Sequence, residues 1–194
     1  FCMTEGIPIQ DMMRIKSYLR KSETCLIGPN SPGLLSPGQV KLGIIPGEIA
    51  LPGHIGVMSR SGTLTYEIVN ELGKAGVGIS TCIGIGGDPI LGTDFVELLE
   101  LFESDPETEK ILMIGEIGGG SEERAVKYIS QHVTKPVYAF IVGKSAPEGR
   151  KMGHAGALIE KRAGTAAYKI EIIQNAGIRL ASSIEEIPAL LTET

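Results

Sequence analysis

From residue 54 onward the chain alternates short apolar runs with amphipathic ones, and this alternation most narrows what it can fold into. The runs at 55–58, 78–85, 110–114, 136–142 and 178–180 have strand length and are almost continuously apolar. Between them, 63–75, 93–103, 122–132 and 165–176 carry apolar residues at helical spacing. Leu64, Ile68, Leu72 and Ala75 share one face of the first stretch. Phe95, Leu98, Leu99 and Phe102 stand at i, i+3, i+4 and i+7 in the second. Strands that are apolar on both faces need cover on both faces. The predicted fold class is therefore α/β, a parallel sheet with helices on both sides. The helix stripes are core and receive no functional role. Ser183 and Glu186 have capping-box spacing and predict a closing helix.

The first third reads differently. Residues 1–3 and 25–27 look like short buried strands, separated by a helix that Pro8 opens with Ile9, Met12, Met13, Ile15 and Leu19 on its apolar side. This resembles the tail of a β-α-β unit. Because the chain opens on Phe1, it is expected to be part of a longer product. Gly33, Pro37, Gly38, Gly43, Pro46, Gly47, Pro52 and Gly53 crowd the next stretch and predict a structured linker. The expected division is residues 1–33, a linker at 34–53, and a regular domain at 54–194.

Of the 194 residues 42% are hydrophobic and 21% charged, a globular balance rather than a disordered one. A net charge of -5 disfavours nucleic acid as a partner. No apolar run approaches membrane-spanning length, and no signal-peptide pattern opens the chain. Cys2, Cys25 and Cys82 are odd in number and lack metal-ligand spacing, so free thiols are expected and no metal site.

In a parallel sheet, chemistry gathers where strands end and loops lead to helix N-termini. Four loops qualify here. Ser59-Arg-Ser-Gly-Thr63, Gly84-Ile-Gly-Gly-Asp88 and Gly115-Glu-Ile-Gly-Gly-Gly120 follow the first three strands, and Gly149-Arg-Lys-Met-Gly-His-Ala-Gly-Ala157 follows the fourth. Exposed amides and hydroxyls at helix starts suit anions, phosphate above all. Taken singly, Ser61 is an ordinary N-cap and the glycines are ordinary tight turns; their coincidence at strand ends favours a site. His154, set between glycines, can act as base, ligand or nucleophile. Glu116, the acid ending an apolar strand, could hold one imidazole nitrogen and leave the other free.

Six segments together resemble one family. Thr4-Glu-Gly-Ile-Pro8, Gly28-Pro-Asn30, Ser59-Arg-Ser-Gly-Thr-Leu-Thr-Tyr66, Gly84-Ile-Gly-Gly-Asp-Pro89, Gly115-Glu-Ile-Gly-Gly119 and Met152-Gly-His-Ala-Gly-Ala157 are similar, in order, to the α subunit of succinate–CoA ligases. The resemblance implies a flavodoxin-like domain at 54–194, preceded at 1–33 by the end of a Rossmann-like domain that binds coenzyme A. It implies that His154 is a phosphohistidine oriented by Glu116, that Tyr66 helps bind a dicarboxylic acid, and that Ser59, Ser61 and Gly62 contact phosphate. Met3, Thr4, Glu5 and Asn30 would lie against coenzyme A. A β subunit would supply Mg2+ and ATP or GTP, in the bacterial cytoplasm or the mitochondrial matrix. The isolated chain is then expected to fold but to need its β subunit and the full coenzyme A-binding domain for turnover. Ser31 stands where many relatives carry cysteine, and Lys161-Arg-Ala163 replaces a more glycine-rich stretch.

Two other readings compete. Malate–CoA ligases and citrate-cleaving enzymes share several of these motifs, although the latter generally lack the Thr-Leu-Thr-Tyr run that ends at Tyr66. Ser61, Glu116 and His154 also follow the chain order of an α/β-hydrolase. That elbow requires G-x-S-x-G, whereas here Met58 and Ser59 precede Arg60-Ser61 and Thr63 replaces the second glycine.

Overall fold

The computed structural model of the chain describes residues 1–143, 154, 156, 157 and 164–193. After an irregular opening segment, α1 (Ile9–Leu19) begins directly behind Pro8. Only Met12 of its expected apolar face is buried; Ile9 and Met13 are 53% and 58% exposed. The helix touches the rest of the described chain along a narrow seam, where Lys16 Nζ donates to Leu91 O at 2.7 Å. The strands expected at 1–3 and 25–27 are not strands. A backbone bond from Cys2 N–H to Ile27 O at 2.9 Å joins the two segments, and one such bond does not make a ladder.

Within residues 34–53, expected as a structured linker, two short strands join the sheet. β1 (Gly33–Ser36) and β2 (Val40–Gly43) form an antiparallel hairpin with Gly33 opposite Gly43. Its turn has Gly38 at φ 77° and a bond from Gln39 N–H to Ser36 O at 3.0 Å. A Cβ at Gly33 would lie 1.9 Å from Leu42 O, so the breakers that suggest a linker are hairpin punctuation.

The alternating region follows expectation to within a few residues. It runs β3 (Pro52–Ser59), α2 (Gly62–Lys74), β4 (Ile79–Gly84), α3 (Phe95–Ser104), β5 (Lys110–Glu116), α4 (Ser121–His132), β6 (Val137–Val142), α5 (Ala166–Asn175), β7 (Arg179–Leu180) and α6 (Ile187–Thr192). The sheet order is β2-β1-β4-β3-β5-β6-β7, parallel from β4 to β7, with β1 antiparallel to β4. Numbered among themselves, the five parallel strands have the flavodoxin-like order 2-1-3-4-5.

Residues alternating along each strand feed two cores. Ile111 and Met113 join the cluster under α3, α4 and α5, while Leu112 and Ile114 join the one under α2 and α6. Phe95, Leu98, Leu99 and Phe102 are all buried as their spacing predicts, each contributing roughly 1.5–3 kcal/mol. On α2 the buried set is Thr65, Ile68, Val69 and Leu72; Ala75, expected among them, is the exposed C-cap. The capping box expected at Ser183 and Glu186 does not form. Glu186 is itself the N-cap of α6, and its carboxylate accepts from Ser182 N–H at 2.6 Å. Pro188 in the first turn, whose φ suits a helix start, marks where the helix begins. Among the described residues no helix is long and apolar enough to cross a membrane.

Candidate active site

The register of the sheet assembles the site. Pairing of Ser59 with Ile114 and of Glu116 with Val142 brings the carboxyl ends of β3, β5 and β6 side by side. The chain leaving β3 enters α2 at once, with Ser61 as N-cap accepting from Leu64 N–H at 3.4 Å. The Ser59 hydroxyl turns into the same bend, donating to Ser61 O at 3.0 Å and accepting from Ser61 N–H at 3.2 Å. Gly62 opens the helix with no heavy atom within 4 Å of where a Cβ would stand.

Glu116 closes β5, 7% exposed, and its Oε2 accepts from His154 Nδ1 at 2.9 Å. The imidazole is packed so closely on the loop after β4 that a Cβ at Gly87 would fall 2.2 Å from His154 Cγ. Gly156 N–H donates to Gly87 O at 3.0 Å and fixes the same approach. The hydrogen bond to Glu116 raises the His154 pKa above its ordinary value. Burial opposes it, the Glu116 charge adds to it, Arg60 lowers it, and the Glu5 carboxylate raises it slightly. With Nδ1–H committed to Glu116, Nε2 is left with the free lone pair. Residues 144–153, 155 and 158–163, Lys161 and Arg162 included, lie outside the described set.

Glu5 therefore belongs to the rim of this site, and the contacts beneath it explain how. Buried Asp88 accepts from Gly6 N–H at 3.3 Å and from Asn30 Nδ2 at 3.2 Å, pinning the opening segment to the loop that holds His154. Asn30, at φ 53°, also donates its N–H to Thr4 O at 2.9 Å. Met3, Thr4 and Glu5 keep their side chains exposed. Ser31 is buried; it donates to Gly84 O and accepts from Gly33 N–H, so its hydroxyl is a brace for the hairpin.

Tyr66 follows Ser61 on α2, the helix that opens at this site. It is half-buried in the first turns of α2 against the second core, its phenol pKa raised by burial and by neighbouring Cys82. The Cys82 thiol, wholly buried, is pushed up to about 12 and is inert.

Sequence reasoning missed three charged residues behind Glu116. Arg60 is 3% exposed, with NH2 3.5 Å from Glu116 Oε1 and NH1 3.7 Å from Glu122 Oε1. Glu122 and Lys169 are fully buried and paired with each other. A signal existed for both. Glu122 shares a helical stripe with Ala125, Val126 and Ile129, and Lys169 lies between Ala166 and Ile173 on another, so each ion occupies a core position.

A family model described as CoA-ligase matches residues 58–179, more than half of the chain. The chain belongs to the CoA-ligase family. It is 49% identical over 192 residues to the succinate–CoA ligase [ADP-forming] subunit alpha of Staphylococcus aureus, covering 99% of this chain and 64% of that protein. The subunit of the same name from Aquifex aeolicus is 52% identical over 195 residues, covering 100% of this chain and 63% of its own length. The chain thus spans just under two thirds of these relatives. Among solved structures, ATP citrate lyase from Methanothrix soehngenii in complex with citrate and coenzyme A superposes with a TM-score of 0.88. It is 26% identical over 98% of this chain and 34% of the lyase. The family-matched span contains the Ser59–Ser61 turn, Glu116 and His154. In the hydrolase alternative Ser61 would be hydrogen-bonded to the histidine; here it caps α2, and the histidine is bonded to Glu116.

Proposed function

We propose that the chain acts as the α subunit of a succinate–CoA ligase, ADP- or GDP-forming, with His154 as the phosphoryl carrier. The observation that carries this reading is the 2.9 Å bond between His154 Nδ1 and Glu116, placed where the anion-favouring loops converge. Phosphate attacks the thioester of succinyl-CoA, forming succinyl phosphate and releasing the thiol. Nε2 of His154 then attacks phosphorus, and succinate leaves. The N-phosphorylated ring keeps its Nδ1 proton, so the ring is cationic and the Glu116 carboxylate beside it stabilises that charge. A nucleoside diphosphate, held with Mg2+ on a β subunit, takes the phosphoryl group and returns the ring to its starting state.

The parts this chain supplies are positioning and charge. Ser59, Ser61, Gly62 and the amides opening α2 offer phosphate a positive helix end. Coenzyme A would run past Met3, Thr4, Glu5 and Asn30, whose segment Asp88 ties to the His154 rim. A Cβ at Gly86 would fall 2.0 Å from Pro29 O, so that loop and this segment are closely seated. Coenzyme A brings the thiol that forms and releases the thioester. Tyr66 bears on the dicarboxylate, residues 54–194 form the phosphohistidine domain and 1–33 the end of a coenzyme A domain. The compartment is the bacterial cytoplasm or the mitochondrial matrix. Malate or citrate in place of succinate is the competing choice within the family, and the assay below separates them.

The chain, assembled with a β subunit, should take up the γ-phosphate of ATP or GTP as an acid-labile, alkali-stable label. With the full coenzyme A domain present as well, succinate with CoA should discharge it; malate and citrate should not. Labelling that persists in His154→Ala would overturn the assignment.

A further inference from the structure

Lys169 is wholly buried on the core-facing stripe of α5, three residues after buried Ala166 and four before buried Ile173. A lysine there costs several kcal/mol unless its charge is met. It is met on three sides. Nζ donates to Gly118 O at 2.9 Å, pairs with Glu122 Oε2, and lies 3.5 Å from Glu123 Oε2. Glu122, equally buried, uses its other oxygen on the site: Oε1 accepts the backbone N–H of Glu116 at 3.0 Å. Arg60 NH1 donates to the same Gly118 O at 3.3 Å, so two cations hold the carbonyl of the turn leaving β5.

We propose that the Lys169–Glu122 pair is a positioning strut for Glu116, and through Glu116 for His154. The line is continuous: ammonium to carboxylate, carboxylate to the Glu116 amide, Glu116 Oε2 to His154 Nδ1. The strut is needed because the Glu116 side chain is under-held. Its Oε1 is buried without a hydrogen bond, at 3.5 Å from Arg60 NH2, so the backbone anchor decides where the carboxylate points. An apolar pair of similar volume would serve packing at least as well as two buried ions. What it could not do is accept the Glu116 N–H. The inference rests on the His154–Glu116 pair being the functional centre, as proposed above, but not on phosphorylation itself.

Among the described residues the charged groups facing His154 are Glu116 from β5, Arg60 from the loop after β3, and Glu5 from the opening segment. The test reads His154 directly in the folded chain by NMR, following ring titration and the Nδ1–H resonance. The chain has three histidines, and His154→Ala assigns the signal. In the apolar double variant Glu122→Met with Lys169→Met, which removes the acceptor of Glu116 N–H, the His154 pKa should fall toward the ordinary imidazole value and the Nδ1–H signal should be lost. His54 and His132 should not move. Glu122→Gln with Lys169→Met removes the charges but keeps an oxygen for Glu116 N–H, and should restore both readouts. If the apolar double variant melts cooperatively yet titrates at His154 like the parent, the pair is structural only and the proposal fails. If it does not fold, the Gln–Met variant decides: parental titration supports the strut, and a fall overturns it. A chain that never accepts phosphate but passes these tests would refute the ligase reading and leave the strut standing.

Discussion

Gly87→Ala tests the geometry of the histidine most directly. The three heavy atoms nearest an added Cβ all belong to the His154 ring, at 2.2 Å from Cγ, 2.5 Å from Nδ1 and 2.6 Å from Cδ2. Gly87 is absent from the positive-φ glycines, so alanine suits its backbone and the strain falls on the ring. To recover ordinary carbon contact near ~3.5 Å, the ring must retreat by roughly 1.3 Å. Its bond to Glu116 is 2.9 Å long and does not survive such a shift. Losing one charge-assisted bond costs about 1.5–3 kcal/mol, and a misplacement near 1 Å costs about a hundredfold in rate. Phosphorylation of His154 by nucleoside triphosphate, with the β subunit present, should slow about a hundredfold. Global stability should fall by no more than that one bond, about 1.5–3 kcal/mol, because the ring, 26% exposed, can yield outward without disturbing the core. Gly47→Ala, where nothing lies within 4 Å, is the control and should change neither quantity. Parental phosphorylation and parental His154 titration in Gly87→Ala would mean that the ring does not rest where this structure puts it.

Glu116→Gln keeps the shape of the pair and removes its charge. Because the His154 pKa is raised above 6.5 in the fold, the pair adds stability that is fully present below about pH 6.5 and is lost as pH rises through the raised value. The melting difference between parent and Glu116→Gln should shrink in that direction; a gap that widens with pH would contradict the assigned sign. Tyr66→Phe, if the tyrosine bears on the dicarboxylate, should raise the succinate requirement and spare phosphorylation by nucleoside triphosphate; equal damage to both half-reactions would make it structural. Asp88→Ala removes the acceptor of Gly6 N–H and Asn30 Nδ2, so amide exchange at Gly6 should quicken by at least tenfold, about 1.4 kcal/mol of lost protection. Unchanged exchange there would show that other contacts hold the opening segment.

Much of this protein is legible without coordinates because its signals are local and repeat. A stripe such as Phe95, Leu98, Leu99 and Phe102 satisfies helical spacing and burial at once, and the neighbours in sequence already state both. Apolar strands between such stripes leave few architectures other than a covered parallel sheet. His154 and Glu116 were nameable for a related reason: each is a polar exception at the end of a predictable element. The errors have physical causes too. The glycines and prolines from 33 to 53 mark either a linker or a hairpin, and only the partner strand β4, which pairs with Leu34 and Leu35, decides between them. The apolar side of α1 looked like core because spacing reports a face, not what lies opposite it. Glu122 and Lys169 are 47 residues apart, and although each stands on the core stripe of its own helix, neither stripe names the counter-ion. A buried ion is tolerable only beside its counter-ion, and that pairing exists only after β5, α4 and α5 have packed. Sequence by itself determined the alternating strands and helices from residue 54 onward and which polar residues stand at their ends; tertiary structure decided which charges face each other, because Coulomb energy depends on distances that no local pattern encodes.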